Sequence, residues 1–432
     1  MKVKFAHISD VHLGAWRNER INELGYKAFE KTVDKIIDSQ VDFVIISGDL
    51  YDVSNPKVEV IDLATQELKR LKDHEIPVYG IMGSHDFSPS NKSMIRPLVT
   101  AGLFIDVSKG NFDDQGKLKL KFFQDKKTNI KLVGLRARKR SLEIEDYYVL
   151  DRKYLETEKG PKIFILHTML SELKPKEFKY MESAPKSLLP LNFDYYAGGH
   201  LHKVLPTDLK KEGITIEISP QNSIIYPGCI FPTDFRELEQ MKNGGFCIVS
   251  GTINNDALDL KVNYIPIKVI LVESIFLDCT KKSVAKVMDQ LKIESRERVL
   301  QDKIVTIRIY GSLSSGKAYE IKINEIIETF KEKGAYEVII NKNALTSMEY
   351  QSISVPTGIS NEEIESTLIK EHATKYKVGN FSTSKRELKI SQLLNTLGTE
   401  RQIGTKVMTY NKSIIQEFLN IFEFQNQEKL KE

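Results

Sequence analysis

The sequence predicts an α/β protein, composed of a two-sheet layered α/β domain, a small α+β domain and a helical C-terminal region. Within residues 1–205, short apolar runs alternate with amphipathic stretches of helical period, and several runs end in Gly or Ser. This alternation of strand-like and helix-like segments is typical of α/β layers. The composition, with 41% apolar and 28% charged residues, is that of an ordinary globular protein.

The first domain is predicted over residues 1–266. Two stretches, 24–39 and 58–73, carry apolar residues at three- and four-residue steps and are predicted helices. Further strand-like runs over 214–266 are separated by turn residues, and we expect them to complete the second sheet. The strand-like runs that precede them are VKFAHIS, DFVIISG, PVYGIMG, KIFILH and FDYYAGG.

The small domain is predicted over residues 267–345. Its segments follow the order strand, helix, strand, helix, strand, from KVILVESIFLD to AYEVIINKN. This order indicates an α+β unit with helices on one face of a sheet.

The C-terminal region, 346–432, is predicted to be helical. Ser360 with Glu363 and Ser384 with Glu387 have the spacing of a capping box ahead of helical patterns. The last two helices carry apolar stripes, which either pack on each other as an αα-hairpin or form a docking surface for a partner. The stripes are Ile390, Leu393, Leu394 and Leu397 in one helix, and Ile414, Ile415, Phe418, Leu419 and Phe422 in the other.

The cysteines and the apolar runs exclude several classes of protein. Cys229, Cys247 and Cys279 are far apart and lack paired spacing, which argues against a disulfide framework and a thiolate zinc site. No apolar run approaches the roughly 20 residues of a membrane span. The N-terminal MKVKFAHISD leads into a predicted strand and does not resemble a signal peptide. We therefore expect a cytoplasmic protein without a membrane partner.

Basic residues are concentrated in one segment, although the net charge is only +4. Residues 117–140 contain ten Lys or Arg residues against one acid, Asp125. The alternation of Lys117, Lys119 and Lys121 with leucines fits a solvated edge strand. Contact with a phosphate backbone is the alternative, and the sequence leaves both open.

Polar side chains recur where apolar strands are predicted to end. The carboxyl ends of strands in α/β sheets form the crevice in which ligands bind. Five separate segments are therefore expected to deliver polar groups to one edge. These residues are Asp10 and His12, Asp49, Ser84 with His85 and Asp86, His167, and His200 with His202.

These residue types indicate a pair of metal ions. Carboxylate and imidazole ligands without thiolate suit Mn²⁺, Mg²⁺, Fe²⁺ or Zn²⁺. A single ion needs three or four ligands, so six or seven candidates imply two ions that share a carboxylate. Two ions about 3.5–4 Å apart clamp a phosphate and activate a water, which predicts hydrolysis of a phosphoester.

The motifs DVHLG, GDLYD, GSHD, LHTML and GGHLH, in this order, resemble those of the calcineurin-like metallophosphoesterases. The wider chain, with YPGCIFPTDF at 226–235, GGFCIV at 244–249, the small domain and the helical tail, resembles the SbcD or meiotic-recombination-eleven family of prokaryotic double-strand-break repair nucleases. The resemblance implies a two-sheet α/β sandwich metallophosphoesterase domain with a small α+β cap domain.

The resemblance also implies the site and two Mn²⁺ ions per chain, with Mg²⁺ or another divalent ion as alternatives. His85 would be the catalytic histidine, which stabilises charge on the transferring phosphate or protonates the leaving sugar oxygen. Asp86 would orient His85. The implied ligands are Asp10, His12, Asp49 and His202 for the first ion, and Asp49, His167 and His200 for the second.

Two positions depart from the family pattern. Ser84 stands where the family usually has Asn as a ligand of the second ion, and its oxygen falls short by roughly 1.2 Å, one C=O bond. A water would fill the gap, or the loop would move inward, and we expect the second ion to bind more weakly. Asp52 stands where some relatives carry a histidine; it would hydrogen-bond a neighbour or be a plain surface acid.

The resemblance implies a Mn²⁺-dependent DNA nuclease with 3′–5′ exonuclease action on duplex ends and endonuclease action on single strands. It implies an SMC-like ATPase docked on the C-terminal helices, a homodimer, and a nucleoid-associated place in the cytoplasm. A small-molecule phosphodiesterase is one alternative, although it would not need the extra domain and tail. A non-catalytic DNA-tethering scaffold is the other, because Ser84 and Asp52 are altered.

Overall fold

The chain divides into two compact units, Met1–Met348 and Glu349–Glu432. Their architecture comes from a computed structural model. In the described residues, no helix is long and apolar enough to span a membrane. The structure describes residues 1–88, 92–211, 214–219, 223–254, 257–347, 365–370, 373, 381–399 and 407–423.

The first unit contains two large sheets and two small ones. The seven-stranded sheet has the order β11-β14-β13-β1-β2-β3-β4, and the five-stranded sheet has the order β12-β10-β9-β8-β7. The strands are β1 (Lys2–Ile8), β2 (Phe43–Ser47), β3 (Val78–Ile81), β4 (Ile105–Asp106), β5 (Gly110–Phe112), β6 (Leu118–Leu120), β7 (Phe123–Gln124), β8 (Lys131–Leu135), β9 (Lys162–His167), β10 (Tyr195–Gly199), β11 (Thr215–Glu217), β12 (Ile224–Ile225), β13 (Gly244–Asn254), β14 (Ala257–Ile267), β15 (Leu271–Asp278), β16 (Lys303–Leu313) and β17 (Glu337–Ser347).

Helices connect the parallel strands. Strands β1, β2, β3 and β4 pair in parallel, and β8, β9, β10 and β12 do so in the second sheet. Parallel neighbours need crossover connections, which is why helices follow the first two strands. The helices are α1 (Glu19–Asp38), α2 (Val58–Asp73), α3 (Ile95–Thr100), α4 (Glu143–Val149), α5 (Arg152–Thr157), α6 (Phe235–Met241), α7 (Val284–Glu297), α8 (Ile323–Glu332), α9 (Thr383–Leu397) and α10 (Val407–Ile421).

The two large sheets pack face to face. Along β1, Phe5 points into the core between the sheets, whereas Ala6 and Ile8 point into the core that the helices cover. This division follows from the two-residue period of a strand. The ring of Phe5 meets Tyr195 of the second sheet at a centroid distance of 5.4 Å. The predicted two-sheet α/β sandwich is confirmed.

The small three-stranded sheet has the order β15-β16-β17, and its strands are parallel. Its core with α7 and α8 is apolar and includes Val287 and Phe330. Towards the large domain, Arg308 on β16 binds the buried carboxylate of Glu239 on α6, with N···O distances of 2.8 to 3.1 Å. The small sheet is thereby tied to α6. The predicted domain limits at 266 and 345 stay predictions.

The second unit contains the two predicted C-terminal helices. The Ser382 side chain accepts a hydrogen bond from the Lys385 N–H and caps α9. The sequence predicted Ser384 at this start, two residues too late, since Ser382 offers an equivalent hydroxyl. Lys389 is buried and binds Glu423 at 2.9 Å, beyond the end of α10. The predicted capping box at Ser360 and Glu363 lies outside the described residues.

Candidate metal centre

The predicted polar residues lie at the carboxyl ends of parallel strands. Asp10 follows β1, Asp49 follows β2, and the Ser84–Asp86 turn follows β3. On the second sheet, His167 is the last residue of β9 and His200 follows β10. Pairing of β1 with β2 and of β9 with β10 puts the ends of each sheet side by side, and the contact of His167 at the end of β9 with the Ser47 carbonyl at the end of β2 joins the two sheets there.

One group of side chains consists of Asp10, His12 and His202. Their nearest ligand atoms all lie within 4.8 Å of one another. The Nε2 atoms of His12 and His202 are 3.1 Å apart, and His202 Nε2 lies 3.8 Å from Asp10 Oδ1. The carboxylate of Asp10 also accepts the backbone N–H of His200, at 3.0 Å, which holds the loop after β10 against the loop after β1.

A second group consists of Asp49, His167 and His200, whose ligand atoms also lie within 4.8 Å of one another. Oδ2 of Asp49 is 3.0 Å from His167 Nε2 and 3.6 Å from His12 Nε2. Oδ1 of Asp49 accepts the backbone N–H of His85 at 2.8 Å. One oxygen of Asp49 therefore lies between the two groups, while the other fixes the carboxylate.

The hydrogen bonds of the histidines direct their lone pairs into the centre. Nδ1 of His167 lies 2.6 Å from the carbonyl oxygen of Ser47, which can only accept, so the proton is on Nδ1. Nδ1 of His202 donates to Glu237 at 2.6 Å, and Nδ1 of His12 faces a carboxylate at 3.2 Å. The Nε2 atoms of His12 and His202 therefore face each other in the centre, 3.1 Å apart.

This arrangement fits a divalent cation. Two imidazole nitrogens 3.1 Å apart need a proton or a cation between them, and the buried Nε2 of His167 lies 3.0 Å from the carboxylate of Asp49. Burial, the largest single effect, acts to lower the pKa of His167, but the charge and hydrogen bond of Asp49, the charge of Asp10 and the Ser47 carbonyl together raise the pKa to about 10, so the pocket favours positive charge there. Burial keeps Cys229 a protonated thiol by raising its pKa, which leaves carboxylates and imidazoles as the donors.

Four of these residues have left-handed backbone conformations. The φ angles are 51° at Asp10, 47° at His12, 52° at Asp49 and 84° at His200. Side chains with a Cβ rarely adopt this region, and such strain is concentrated at functional sites. Backbone hydrogen bonds between the two loops stabilise it; the His12 N–H, for example, donates to the carbonyl of Asp49 at 3.0 Å.

Asp86 has a different partner from the one that the sequence predicted. Its buried carboxylate accepts backbone N–H groups of Gly83, Asp49 and Tyr51 at 2.8, 3.0 and 3.1 Å. The ring of His85, which Asp86 was expected to orient, instead places Nδ1 2.6 Å from the carbonyl oxygen of Asp52. Burial and the charge of Asp49 raise the pKa of Asp86 to about 7, against the pull of the N–H donors.

Ser84 and Asp52, the two departures from the family pattern, both lie at the centre. The hydroxyl of Ser84 is 3.5 Å from Asp49 Oδ2. The carboxylate of Asp52 lies 3.2 Å from His12 Nδ1 and 4.0 Å from His85 Nδ1. Asp52 thus contacts two histidines of the site. Of its two predicted roles, this is the hydrogen-bonded acid and not the plain surface acid. Metal binding by the predicted ligands, Ser84 included, stays a prediction.

Two further residues, Glu237 and His7, support the centre without having been predicted from the sequence. Burial, the largest single effect, acts to raise the pKa of Glu237, but the hydrogen bond and charge of His202 and the hydrogen bonds of Thr233 together lower the pKa to about 2. His7 is fully buried between Ser47 Oγ at 2.7 Å and Tyr195 at 2.9 Å, and burial lowers its pKa to about 3, so it is neutral. It buttresses Ser47, the residue that holds His167. Glu237 lies 35 residues from His202, so no local spacing reveals the pair.

Replacing Glu237 by alanine is expected to weaken divalent-metal binding about 10- to 100-fold, because His202 loses the partner that fixes its ring. Titration calorimetry with Mn²⁺ measures this affinity. Glu237→Gln, which keeps an acceptor, should lose less, and Gln240→Ala, an exposed position on the same helix, should lose nothing. A Glu237→Ala protein that binds Mn²⁺ like the unchanged chain contradicts the role of Glu237.

Residues 3–204 match the calcineurin-like phosphoesterase family. The chain is 30% identical over 322 residues to the DNA double-strand break repair protein Mre11 of Sulfolobus acidocaldarius, covering 72% of this chain and 76% of the relative. It is 28% identical over 259 residues to the Mre11 of Methanococcus maripaludis, covering 59% of this chain and 64% of the relative. With the Mre11 of Methanocaldococcus jannaschii the identity is 25% over 383 residues, covering 86% and 89%. The family resemblance predicted from the motifs is confirmed, and the chain belongs to the Mre11 family of calcineurin-like phosphoesterases.

Proposed function

We propose that this protein is a metal-dependent DNA nuclease of double-strand-break repair that hydrolyses phosphodiester bonds. The observation that carries the proposal is the position of Asp49 Oδ2, 3.0 Å from His167 and 3.6 Å from His12. One carboxylate shared by two donor groups is the arrangement expected for two cations that act on one phosphate. Relatives named as double-strand-break repair proteins support DNA as the substrate.

Two divalent cations, which we propose to be Mn²⁺, would neutralise charge on the scissile phosphate and lower the pKa of bound water. Asp10, His12 and His202 would hold one, His167 and His200 the other, and Asp49 both. The family resemblance supports 3′–5′ exonuclease action on duplex ends and endonuclease action on single strands.

His85 is placed to serve the leaving group. Its Nδ1–H donates to the carbonyl oxygen of Asp52, which fixes the ring. The ring lies edge to face with His12, with centroids 4.8 Å apart. About 48% of the His85 side chain is exposed, so Nε2 is the nitrogen left to meet a phosphate oxygen or to give a proton to the leaving sugar oxygen.

The proposal is tested by incubating the protein with Mn²⁺ and linear duplex DNA, single-stranded circles or a chromogenic phosphodiester. His85→Gln is expected to lower the rate of DNA cleavage by at least about 10²-fold, because a positioned proton donor is lost. His74→Gln, an exposed histidine at the end of α2, is the matched control.

Each other result assigns a different function. Turnover of the small ester alone would make the protein a small-molecule phosphodiesterase. DNA binding without cleavage would make it a tethering scaffold. Circular dichroism of His85→Gln excludes misfolding as the cause of a lost rate.

Ser84 is expected to make the second cation site the weaker one. Its hydroxyl lies 3.5 Å from Asp49 Oδ2, and its oxygen is shorter in reach than an asparagine amide by about 1.2 Å. Titration calorimetry with Mn²⁺ should therefore show one tight and one weaker site, and Ser84→Asn should tighten the weaker one. Two equally tight sites in the unchanged chain would refute the expectation.

We also propose an SMC-like ATPase as a partner of the C-terminal helices. Several apolar side chains of this unit are exposed, which a partner would cover: Leu388 and Leu397 on α9, and Ile415 on α10, are each 55 to 61% exposed. Homodimerisation, and a place in the cytoplasm on the nucleoid, are proposed from the family resemblance alone.

A further inference from the structure

A broad groove of about 1510 Å³ opens beside the metal centre. Its lining includes Phe87, two residues after His85, so their Cα atoms are at most about 7.6 Å apart. One wall is the hairpin of β5 and β6, in which Asn111 pairs with Lys119. The other is formed by Leu135–Lys139 at the end of β8. The groove therefore lies near the centre and is lined by residues of the basic segment 117–140.

Six basic and three acidic side chains line this groove. Each acid is already engaged. Asp106 accepts the N–H and hydroxyl of Ser108 at 2.9 and 2.6 Å, and Asp113 accepts two N–H groups of its own turn. Asp146 pairs with Arg138 at 3.1 Å. Of the six basic side chains, only Arg138 therefore forms an ion pair with one of these acids.

The other five basic side chains form no ion pair with any residue that the structure describes. Four of them are exposed and the fifth, Arg136, is half-buried. The lining of six cations and three anions is net positive, and such a wall attracts a polyanion and releases its counterions. The five are Lys109, Lys119, Lys121, Arg136 and Lys139.

Aromatic rings are interleaved with these cations. Phe112 lines the groove with 63% of its surface exposed. Lys119 Nζ lies 4.4 Å from the ring centroid of Tyr154, and the Arg136 guanidinium lies 5.2 Å from that of Phe87. Cations that follow phosphates, beside rings on which bases stack, are the features that bind single strands. A duplex keeps its bases stacked inside and gives Phe112 no base to contact.

We propose that this groove binds a single-stranded nucleic-acid segment, with its phosphates on Lys109, Lys119 and Lys121 and a base on Phe112. The inference rests on the proposed function for its ligand class, since it extends the path of the substrate beyond the scissile phosphate. Binding itself requires neither metal nor cleavage, so it is measurable when the nuclease is silent.

The test is fluorescence anisotropy of a labelled oligothymidylate with the full chain in EDTA, over a series of salt concentrations. The triple variant Lys109→Gln/Lys119→Gln/Lys121→Gln should bind more weakly. Its slope of log affinity against log salt should fall by about 2, since each single-strand phosphate contact contributes roughly 0.7. The matched control removes the same charge outside the groove, with Lys2→Gln/Lys27→Gln/Lys126→Gln at exposed positions, and should keep the slope.

Phe112→Ala separates stacking from charge. It should weaken oligothymidylate binding at least about fivefold, with an unchanged salt slope, and leave binding of a blunt duplex unaffected. Phe112 is exposed, so this variant is not expected to perturb the core; thermal unfolding of each variant checks the fold.

Several outcomes would overturn the inference. Equal losses in the groove and control triples would reduce the effect to net charge. A greater loss for duplex than for single strands would make the groove a duplex site. If polyglutamate competed as strongly as the oligonucleotide, and Phe112→Ala did not change the affinity for the oligonucleotide, the occupant would be an acidic protein. If the protein bound the oligonucleotide through the groove but did not cleave DNA, the proposed nuclease function would be wrong and this inference would still hold.

Discussion

Asp49→Asn is expected to reduce DNA cleavage by roughly 10³- to 10⁴-fold, the loss of several kcal/mol of transition-state stabilisation at about 1.4 kcal/mol per tenfold. The Asn amide must keep an oxygen towards the His85 N–H, which Asp49 Oδ1 now accepts at 2.8 Å. Its NH₂ group then takes the place of Oδ2, between His12 and His167. There it donates to their Nε2 lone pairs, which are no longer available to a cation.

The same substitution should leave the metal-free fold intact, because it exchanges a buried charge for a hydrogen-bonding amide. Thermal unfolding with and without Mn²⁺ tests this. Saturating Mn²⁺ at about 100 times its Kd stabilises a one-site protein by about 2.7 kcal/mol, and Asp49→Asn should lose that gain. Asp62→Asn, an exposed acid on α2, should keep it. An Asp49→Asn protein that is still stabilised and still cleaves would exclude Asp49 as the shared ligand.

Gly83→Ala is expected to inactivate the protein nearly as strongly. A Cβ at this position would collide with the carboxylate and backbone nitrogen of Asp49 and would lie 2.6 Å from its Cγ. Because Gly83 also donates its N–H to the buried Asp86, the loop cannot move away without breaking that bond. Overpacking of this kind costs about 1–3 kcal/mol, and Asp49 must shift.

Activity and denaturant midpoint together distinguish this effect from a general loss of stability. Gly160→Ala is the control, because its Cβ would meet nothing within 4 Å while its φ of 84° costs about 1–2 kcal/mol. The control should lose stability and keep activity, whereas Gly83→Ala should lose both. Full activity of Gly83→Ala would show that the turn has room for a methyl group.

Local sequence patterns were sufficient to predict most of the fold. The helix predicted over 58–73 has the same first and last residues as α2, because its apolar spacing fits only a helix. The strands β2 and β9 were visible as short apolar runs because both of their faces are buried. The grouping of Asp10, Asp49 and His167 at one edge followed from parallel strands having their carboxyl ends on the same side.

Residues whose role depends on distant partners were not predictable. For Asp52 the sequence left two interpretations open, a hydrogen-bonded acid or a surface acid, and only the fold shows its carboxylate beside His12, 40 residues away. Glu237 reaches the centre only because α6 packs beside the loop after β10. Asp86 was assigned to its chain neighbour His85, yet three backbone N–H groups brought together by the fold compete more effectively for a buried carboxylate.

Helix α6 has seven residues and carries two carboxylates with separate partners. Glu237 accepts a hydrogen bond from His202, while Glu239 forms an ion pair with Arg308 of the small sheet. The two carboxylates are two residues apart on one short helix, so they move together when the helix moves. A shift of the small sheet that carries Arg308 along with Glu239 would therefore also displace Glu237 and the imidazole of His202, so the position of the small sheet is coupled to the geometry of the candidate metal centre.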